Sequence, residues 1–244
     1  MALLLNCDLG ESFGAWTMGV DAEVMPHIDQ ANIACGFHAG DPMVMRATLA
    51  LAKHHGVAVG AHPSYPDVAG FGRRSMQCSN DEIAALITYQ LAALEGMARC
   101  QGLALSYIKP HGALYNDMMA KADIRHVIMD TVAAYHTPIH LMLQATPDAP
   151  MHQQEAEARG LQLYFEAFAD RRYSASGLLL PRSQPGAVLT LEQMLAQVEQ
   201  LDRAGTITTD SGLELPLQAD TLCVHGDNPA AVRAIQAIRN IIHS

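Results

Sequence analysis

Lysine is nearly absent from this chain of 244 residues: Lys53, Lys109 and Lys121 are the only three. Basic side chains are few altogether, 15 against 25 acidic ones, which leaves a formal net charge of −10. That balance excludes nucleic acid as the main partner, because phosphate binding wants a basic face. Aromatic residues make up only 5%, yet half of the chain is hydrophobic, which excludes a disordered or low-complexity chain. No apolar run approaches the roughly 18 residues of a membrane span. The opening Met1-Ala-Leu-Leu-Leu-Asn6 has no positive flank and meets Asp8 too early for a signal peptide, so a cytoplasmic protein is expected. The five cysteines (Cys7, Cys35, Cys78, Cys100, Cys223) form no CxxC and are odd in number, which argues against a disulfide framework or a zinc knuckle. Cys7, Cys35 and Cys223 read instead as small buried hydrophobes. There is no GxxxxGK[ST] phosphate loop and no GxGxxG dinucleotide fingerprint, so no local motif advertises a nucleotide.

What is present is alternation. Short apolar runs at 3–8, 31–35, 57–61, 105–109, 139–143, 162–168 and 220–225 read as strands. Asp41-Pro42 opens a helix as N-cap and first-turn proline, and Gly56 ends it. Ser79 with Glu82, and Thr190 with Gln193, form capping boxes ahead of helical apolar repeats. Residues 123–136 and 151–159 also read as helices, and a last one starts at Asn228-Pro229. Residues 206–217 alternate around Asp210-Ser-Gly212 and predict a hairpin, whereas Arg171 to Pro185 is loop-like. No linker divides the chain, so one α/β domain over 1–244 is expected. Alternation alone leaves a closed barrel and an open doubly wound sheet as alternatives.

Polar residues and glycines crowd the carboxyl ends of these runs. Asn6, Asp8 and Glu11 follow the first, His38 and Asp41 the second, and His62 the third. Lys109 and His111 follow the fourth; Glu166, Asp170 and Arg171 close the sixth, and His225 and Asp227 the seventh. Strand carboxyl ends form the active-site face of parallel α/β folds, so residues distant in sequence are expected to converge there. Lys109 closes an apolar run, where an unpaired ammonium is costly, so Asp8, Glu166 or a substrate carboxylate is expected beside it. Arg73, Arg74, Arg171, Arg172 and Arg182 lie in loops on the same side and suit an anionic substrate. Asp8 with His38 and His62 is the alternative, a divalent metal set that activates water. The histidines and aspartates are explained equally as acid–base and polar contacts, so no tightly held transition metal is expected. Gly10-Glu-Ser12-Phe-Gly14 matches the GxSxG nucleophile elbow, but no convincing helix follows it.

Taken together, Asn6-Cys-Asp-Leu-Gly-Glu11, Ala31-Asn-Ile-Ala-Cys-Gly-Phe-His-Ala-Gly-Asp41, Gly60-Ala-His-Pro63, Gly70-Phe-Gly-Arg73, Lys109-Pro-His-Gly-Ala-Leu-Tyr115, Phe168-Ala-Asp-Arg171 and Val224-His-Gly-Asp227 closely resemble the LamB/YcsF family. The resemblance spans almost the whole chain in order. It implies a seven-stranded parallel β/α barrel of the glycoside hydrolase/deacetylase type. It also implies ATP-dependent opening of 5-oxoproline to L-glutamate, with ATP as co-substrate, in a complex with 5-oxoprolinase subunits B and C. On that reading the catalytic set is Asp8, His38, His62, Lys109, His111, Glu166 and His225. Lys109 and the arginines would hold carboxylate and phosphate, Asp8, Glu166 or His111 would be the base, and His62 or His225 would donate to the leaving group. Asn6, Glu11, Arg73, Asp170, Arg171, Arg182 and Asp227 would contact substrate. Two other readings are a metal-dependent deacetylase or amidohydrolase acting alone, and a non-catalytic subunit that carries a small carboxylic acid or lactam.

Overall fold

Seven short apolar strands, none able to bury both faces alone, close on one another. The computed structural model describes residues 3–224 and 229–242. In chain order the elements are β1 (Leu4–Leu9), a single turn α1 (Asp21–Val24), β2 (Gln30–Ala34), α2 (Pro42–His55), β3 (Ala58–His62) and α3 (Asn80–Cys100). Then come β4 (Leu105–Ile108), α4 (Gly112–Ala120), α5 (Ala122–Ala133), β5 (His140–Gln144), α6 (Ala149–Glu157) and β6 (Leu163–Phe168). The chain finishes with α7 (Leu191–Ala204), β7 (Thr206–Thr208), β8 (Glu214–Pro216), β9 (Thr221–Cys223) and α8 (Pro229–Ile242).

The strands pair in parallel in the order β1-β2-β3-β4-β5-β6-β9, and β9 returns to β1 to close the barrel. Closure decides between the two architectures that alternation left open. β7 and β8 form the expected hairpin outside the barrel, with Thr206 opposite Pro216. No described helix is long and apolar enough to cross a membrane.

Helix boundaries follow local chemistry. The Asp41 carboxylate accepts from the backbone N–H groups of Met43 and Val44, Pro42 opens α2, and Gly56 closes it at φ +68°. Both capping boxes form, at Ser79–Glu82 and Thr190–Gln193. Two helices, the single turn α1 and α4, have no counterpart in the sequence reading: their N-cap residues, Val20 and His111, make no side-chain capping bond, so the usual start signal is missing. The 171–185 segment, read as loop, carries two isolated bridges, Arg171 to Val188 and Tyr173 to Leu179.

Outward-facing Leu5, Cys7 and Leu9 of β1 pack into the helical shell. The barrel interior is different, because buried polar residues occupy it, among them Asn6, Asn32, Glu166 and Thr221. Asp8, Asn32, Gly60 and Tyr107 are register neighbours across β1, β2, β3 and β4. A Cβ on Gly60 would collide with the Tyr107 ring, so glycine there makes the room in which that ring sits.

Outside the barrel, α5 and α6 are clamped by a buried guanidinium. Arg125 Nε donates to Glu155 Oε2 at 2.7 Å and its Nη2 to Oε1 at 3.1 Å, while His126 lies 2.9 Å from Oε1. Hydrogen bonds from Arg125 pull the Glu155 carboxyl down to about 2. Removing the charge leaves Arg125 buried without its counter-ion. Glu155→Gln should cost about 2–3 kcal/mol, less than a fully buried pair because Glu155 is partly solvated. At roughly 2–4 °C per kcal/mol, the unfolding midpoint should fall by about 4–12 °C at neutral pH. A depressed carboxyl stabilises above its unfolded value and loses that contribution as it is protonated. The difference between the two proteins should therefore shrink as pH falls from about 4.5 toward about 2. Thermal unfolding of both at neutral and acid pH checks it.

Candidate active site at the carboxyl ends of the strands

The carboxyl ends of β1, β3, β4 and β6 open into a cavity of about 480 Å³. Its floor is Lys109, buried at the end of β4. The following proline biases Lys109 away from helical backbone and keeps it extended at the strand end. Lys109 Nζ lies 2.9 Å from Glu166 Oε2, 3.1 Å from Asp8 Oδ1, 3.3 Å from Asn6 Oδ1 and 3.3 Å from Cys223 Sγ. Burial pushes the ammonium down, but the Asp8 and Glu166 carboxylates outweigh it and hold the group well above its usual value. Burial keeps the Cys223 thiol protonated in turn. One cation thus stands between two carboxylates, and these differ. Asp8 lines the cavity, whereas Glu166 is fully buried beneath Lys109.

Asp8 is held from behind. Asn32 Nδ2 donates to Asp8 Oδ1 at 2.8 Å and to Asn6 Oδ1 at 2.8 Å. Tyr107 OH donates to Asn32 Oδ1 at 2.7 Å, and Asn6 Nδ2 donates to Thr221 Oγ1 at 2.9 Å. A buried polar chain with every member bonded fixes rotamers, so Asp8 is presented in one orientation.

Beside Asp8 stand three histidines whose tautomers follow from their partners. His62 Nδ1 lies 2.7 Å from the Lys109 carbonyl, which can only accept, so Nδ1 carries the proton. His111 Nε2 lies 2.9 Å from the Phe71 carbonyl, so Nε2 carries its proton. Ser64 Oγ spends its hydrogen on the Tyr65 carbonyl and therefore accepts from His38 Nδ1 at 3.1 Å. Burial, and then the neighbouring histidines, push the His111 imidazole down to about 2 and His38 well below its ordinary value. In the neutral rings three nitrogens carry no hydrogen: His62 Nε2, His111 Nδ1 and His38 Nε2. His62 Nε2 is 3.4 Å from Asp8 Oδ2 and 2.9 Å from His111 Nδ1. Glu11 Oε1 is 3.4 Å from His38 Nε2 and 3.5 Å from His111 Nδ1. Phe71 presents its carbonyl from φ +53°, the only described residue other than glycine in the left-handed region.

The cavity lining also carries three arginines. Arg171 is buried, donates to the Leu180 carbonyl, and has an Nε with no acceptor among the described residues. Arg182 and Arg73 line the rim, with the Arg73 guanidinium 5.1 Å over the Phe71 ring.

Of the expected site residues, Asp8, Glu11, His62, Arg73, Lys109, His111, Arg171 and Arg182 line the cavity. Asn6, His38 and Glu166 stand behind it, in contact with residues that do. Asp170 is half-buried outside the lining, where its charge acts on Arg171. His225 and Asp227 lie outside the described residues. Arg74 turns away to clamp Asp67, and Arg172 is not on the wall. Ser12 is no nucleophile elbow: its hydroxyl is spent in a turn, donating to the Met18 carbonyl and accepting from the Met18 N–H. The sequence reading does not single out Asn32, Tyr107 or Thr221. A polar residue inside an otherwise apolar strand was the available signal for Asn32.

The sequence profile of the LamB/YcsF family matches residues 3–244. A Pseudomonas putida protein named as the second 5-oxoprolinase A-subunit is 54% identical over 241 residues, covering 98% of this chain and 93% of its own. A 5-oxoprolinase A-subunit of Vibrio cholerae is 53% identical over 236 residues, covering 96% and 95%. The crystal structure of a lactam utilization protein from Thermus thermophilus superposes with a TM-score of 0.91 at 39% identity, covering 100% of this chain and 96% of that one. A putative cellobiose-phosphate cleavage protein from Enterococcus faecalis shares the fold, with a TM-score of 0.55 at 11% identity over 99% of this chain and 90% of that one. The strand-end motifs, the closed barrel and these full-length likenesses agree: the chain belongs to the LamB/YcsF family.

Proposed function

We propose that the chain is the A component of a cytoplasmic 5-oxoprolinase and works with subunits B and C to open 5-oxoproline to L-glutamate at the expense of ATP. The observation that carries this reading is the pairing of Asp8 and Lys109 at 3.1 Å on the floor of a cavity whose lining also holds a buried arginine with an unused N–H. A small lactam with a carboxylate needs both ends. Arg171 takes the carboxylate, since a buried donor gains most from an anionic acceptor. Lys109 faces the lactam oxygen, where negative charge develops.

The lactam is unstrained, so its carbonyl must be activated. Transfer of the γ-phosphoryl group of ATP to the amide oxygen supplies that activation and leaves ADP. Water then adds to the carbonyl carbon, the ring C–N bond breaks as the nitrogen takes a proton, and the acyl phosphate that remains is cleaved by a second water to the carboxylate and inorganic phosphate. Asp8 is the base in this reading, because it reaches the cavity and Glu166 does not. In its present tautomer His62 presents a lone pair, not a proton, so we assign it no donor role. Arg73 and Arg182 at the rim suit the phosphoryl group. The free cysteines fit a reducing compartment.

The test is an assay of 5-oxoproline with ATP, with and without the two partner subunits. No nucleotide loop is present in this chain, so negligible glutamate should form without partners and turnover should appear with them. Robust ATP-coupled turnover by the purified chain would contradict the division of labour, and none in the full mixture would contradict the reading itself.

A further inference from the structure

The histidine cluster contains a contradiction that protons alone resolve poorly. His62 Nε2 and His111 Nδ1 face each other at 2.9 Å, and each has already placed its only hydrogen on a backbone carbonyl. Two bare lone pairs at that distance repel unless something positive lies between or beside them. A single proton would satisfy that one pair and leave His38 Nε2, which has no hydrogen-bond partner among the described residues, as it is. A cation satisfies the nitrogens and the neighbouring carboxylate at once. The donor atoms of Glu11, His38, His62 and His111 all lie within 4.8 Å of one another.

We propose that His62 Nε2, His111 Nδ1 and Glu11 Oε1 bind one divalent cation of the zinc class, with an open coordination position toward the cavity. The spacings fit. Metal–ligand bonds of about 2.0–2.2 Å at tetrahedral or octahedral angles separate neighbouring donors by about 3.0–3.5 Å. The His62–His111 and His111–Glu11 separations are 2.9 and 3.5 Å. Each imidazole donates its other N–H to a fixed backbone carbonyl, the outer-shell arrangement that orients a ligating histidine and raises its basicity. Two imidazoles and one carboxylate favour zinc, cobalt, manganese or iron over magnesium and calcium, which prefer oxygen alone. His62, His111 and Glu11 all line the cavity, so the fourth position is open to a small molecule, as in catalytic rather than structural sites.

His38 has a different place. Its ring is stacked on His111 at 3.8 Å with 2° between the planes. Imidazole binds metal in its ring plane, so an ion in the plane of His111 lies well outside that of His38. His38 therefore closes the site from behind, against Glu11, and is a positioning residue. The proposal departs from the expectation of no tightly held metal, because sequence does not reveal the tautomers. Metal binding follows from geometry alone; only the orientation of the open position toward a lactam rests on the 5-oxoprolinase reading.

The test uses the full chain without substrate, ATP or partners, so that its outcome is separate from that of the activity assay. Protein stripped with chelator is titrated with Co²⁺ followed by its visible spectrum, then competed with Zn²⁺. One ion per chain is expected, and Zn²⁺ should raise the unfolding temperature of the wild type. His62→Ala and His111→Ala should each weaken binding by more than about 100-fold, beyond the roughly 10- to 100-fold typical of outer-shell changes. His38→Ala should stay within that smaller range, and His54→Ala, on the exposed end of α2, should change nothing. Because a histidine variant can fail to fold, X-ray absorption of the zinc-loaded wild type supplies a second readout. A shell of nitrogen and oxygen with imidazole scattering supports the assignment. No binding by the wild type, a sulfur shell, or undiminished binding by a folded His62→Ala would overturn it.

Discussion

Lys109→Met should lower ATP-coupled glutamate release by roughly 30- to 1,000-fold, the equivalent of one lost contact to developing negative charge worth roughly 2–4 kcal/mol. The geometry makes this substitution more than a lost substrate contact. Lys109 is the only cation within reach of both Asp8 and Glu166 among the described ion pairs. Methionine keeps the stem and removes the charge, which leaves a fully buried carboxylate without its partner. Breaking a buried pair costs about 3–5 kcal/mol, so the unfolding midpoint should fall by about 6–20 °C. A lower rate could then reflect a damaged fold. The double variant Lys109→Met/Glu166→Gln separates the two effects, since the neutral amide no longer needs a counter-ion. It should regain most of the lost unfolding temperature and none of the rate. Lys121→Met is the control. Lys121 is exposed at the α4–α5 junction, pairs only with Asp117 at 3.0 Å among the described residues, and should be nearly silent. If a folded Lys109→Met protein keeps more than about a third of the rate, Lys109 is structural and the anion site lies elsewhere.

Asp8→Asn should be at least as damaging to rate and much gentler on the fold. Removing a general base costs typically 10²- to 10⁴-fold, and the loss should fall on kcat with KM little changed. Asparagine retains an oxygen that can accept from Asn32 and Lys109, so the polar chain through Tyr107 stays connected. Lys109 still has Glu166 as its counter-ion. The two carboxylates beside Lys109 can be ranked this way. Glu166→Gln removes a group that never reaches the cavity, and its effect should come through the position of Lys109. A loss of about tenfold or less is expected for it, against the much larger loss at Asp8. Steady-state kinetics of both variants with partner subunits present, alongside thermal unfolding, gives the comparison. Equal losses would mean that the base is shared or misassigned.

Much of the scaffold is legible in local chemistry. Asp41-Pro42, Ser79 with Glu82, and Thr190 with Gln193 mark helix starts because they satisfy orphan backbone donors, which a single sequence can display. Strand positions agree within a residue or two, as apolar runs bounded by glycine and proline allow. Closure of the barrel is not local, since it depends on the pairing of β9 with β1 across most of the chain. Only the family resemblance implies it. In the site, histidines beside glycine or proline at strand ends were visible as a group. Their division of labour was not. Whether Asp8 or Glu166 reaches the cavity depends on depth along the barrel axis, and both sit at strand ends in sequence. The bare nitrogens of His62 and His111 depend on the carbonyls of Lys109 and Phe71, which no side-chain pattern announces. Asn32 and Tyr107 hide in apolar strands because only closure of the barrel brings their polar groups together.

Counting glutamate and phosphate released together by this chain and its two partner subunits, with wild-type and Asp8→Asn protein side by side, tests the central claim most directly. Equal amounts of the two products, strict dependence on ATP, and loss of both in the folded Asp8→Asn protein are predicted. Glutamate formed without phosphate, or at the wild-type rate by Asp8→Asn, would contradict it.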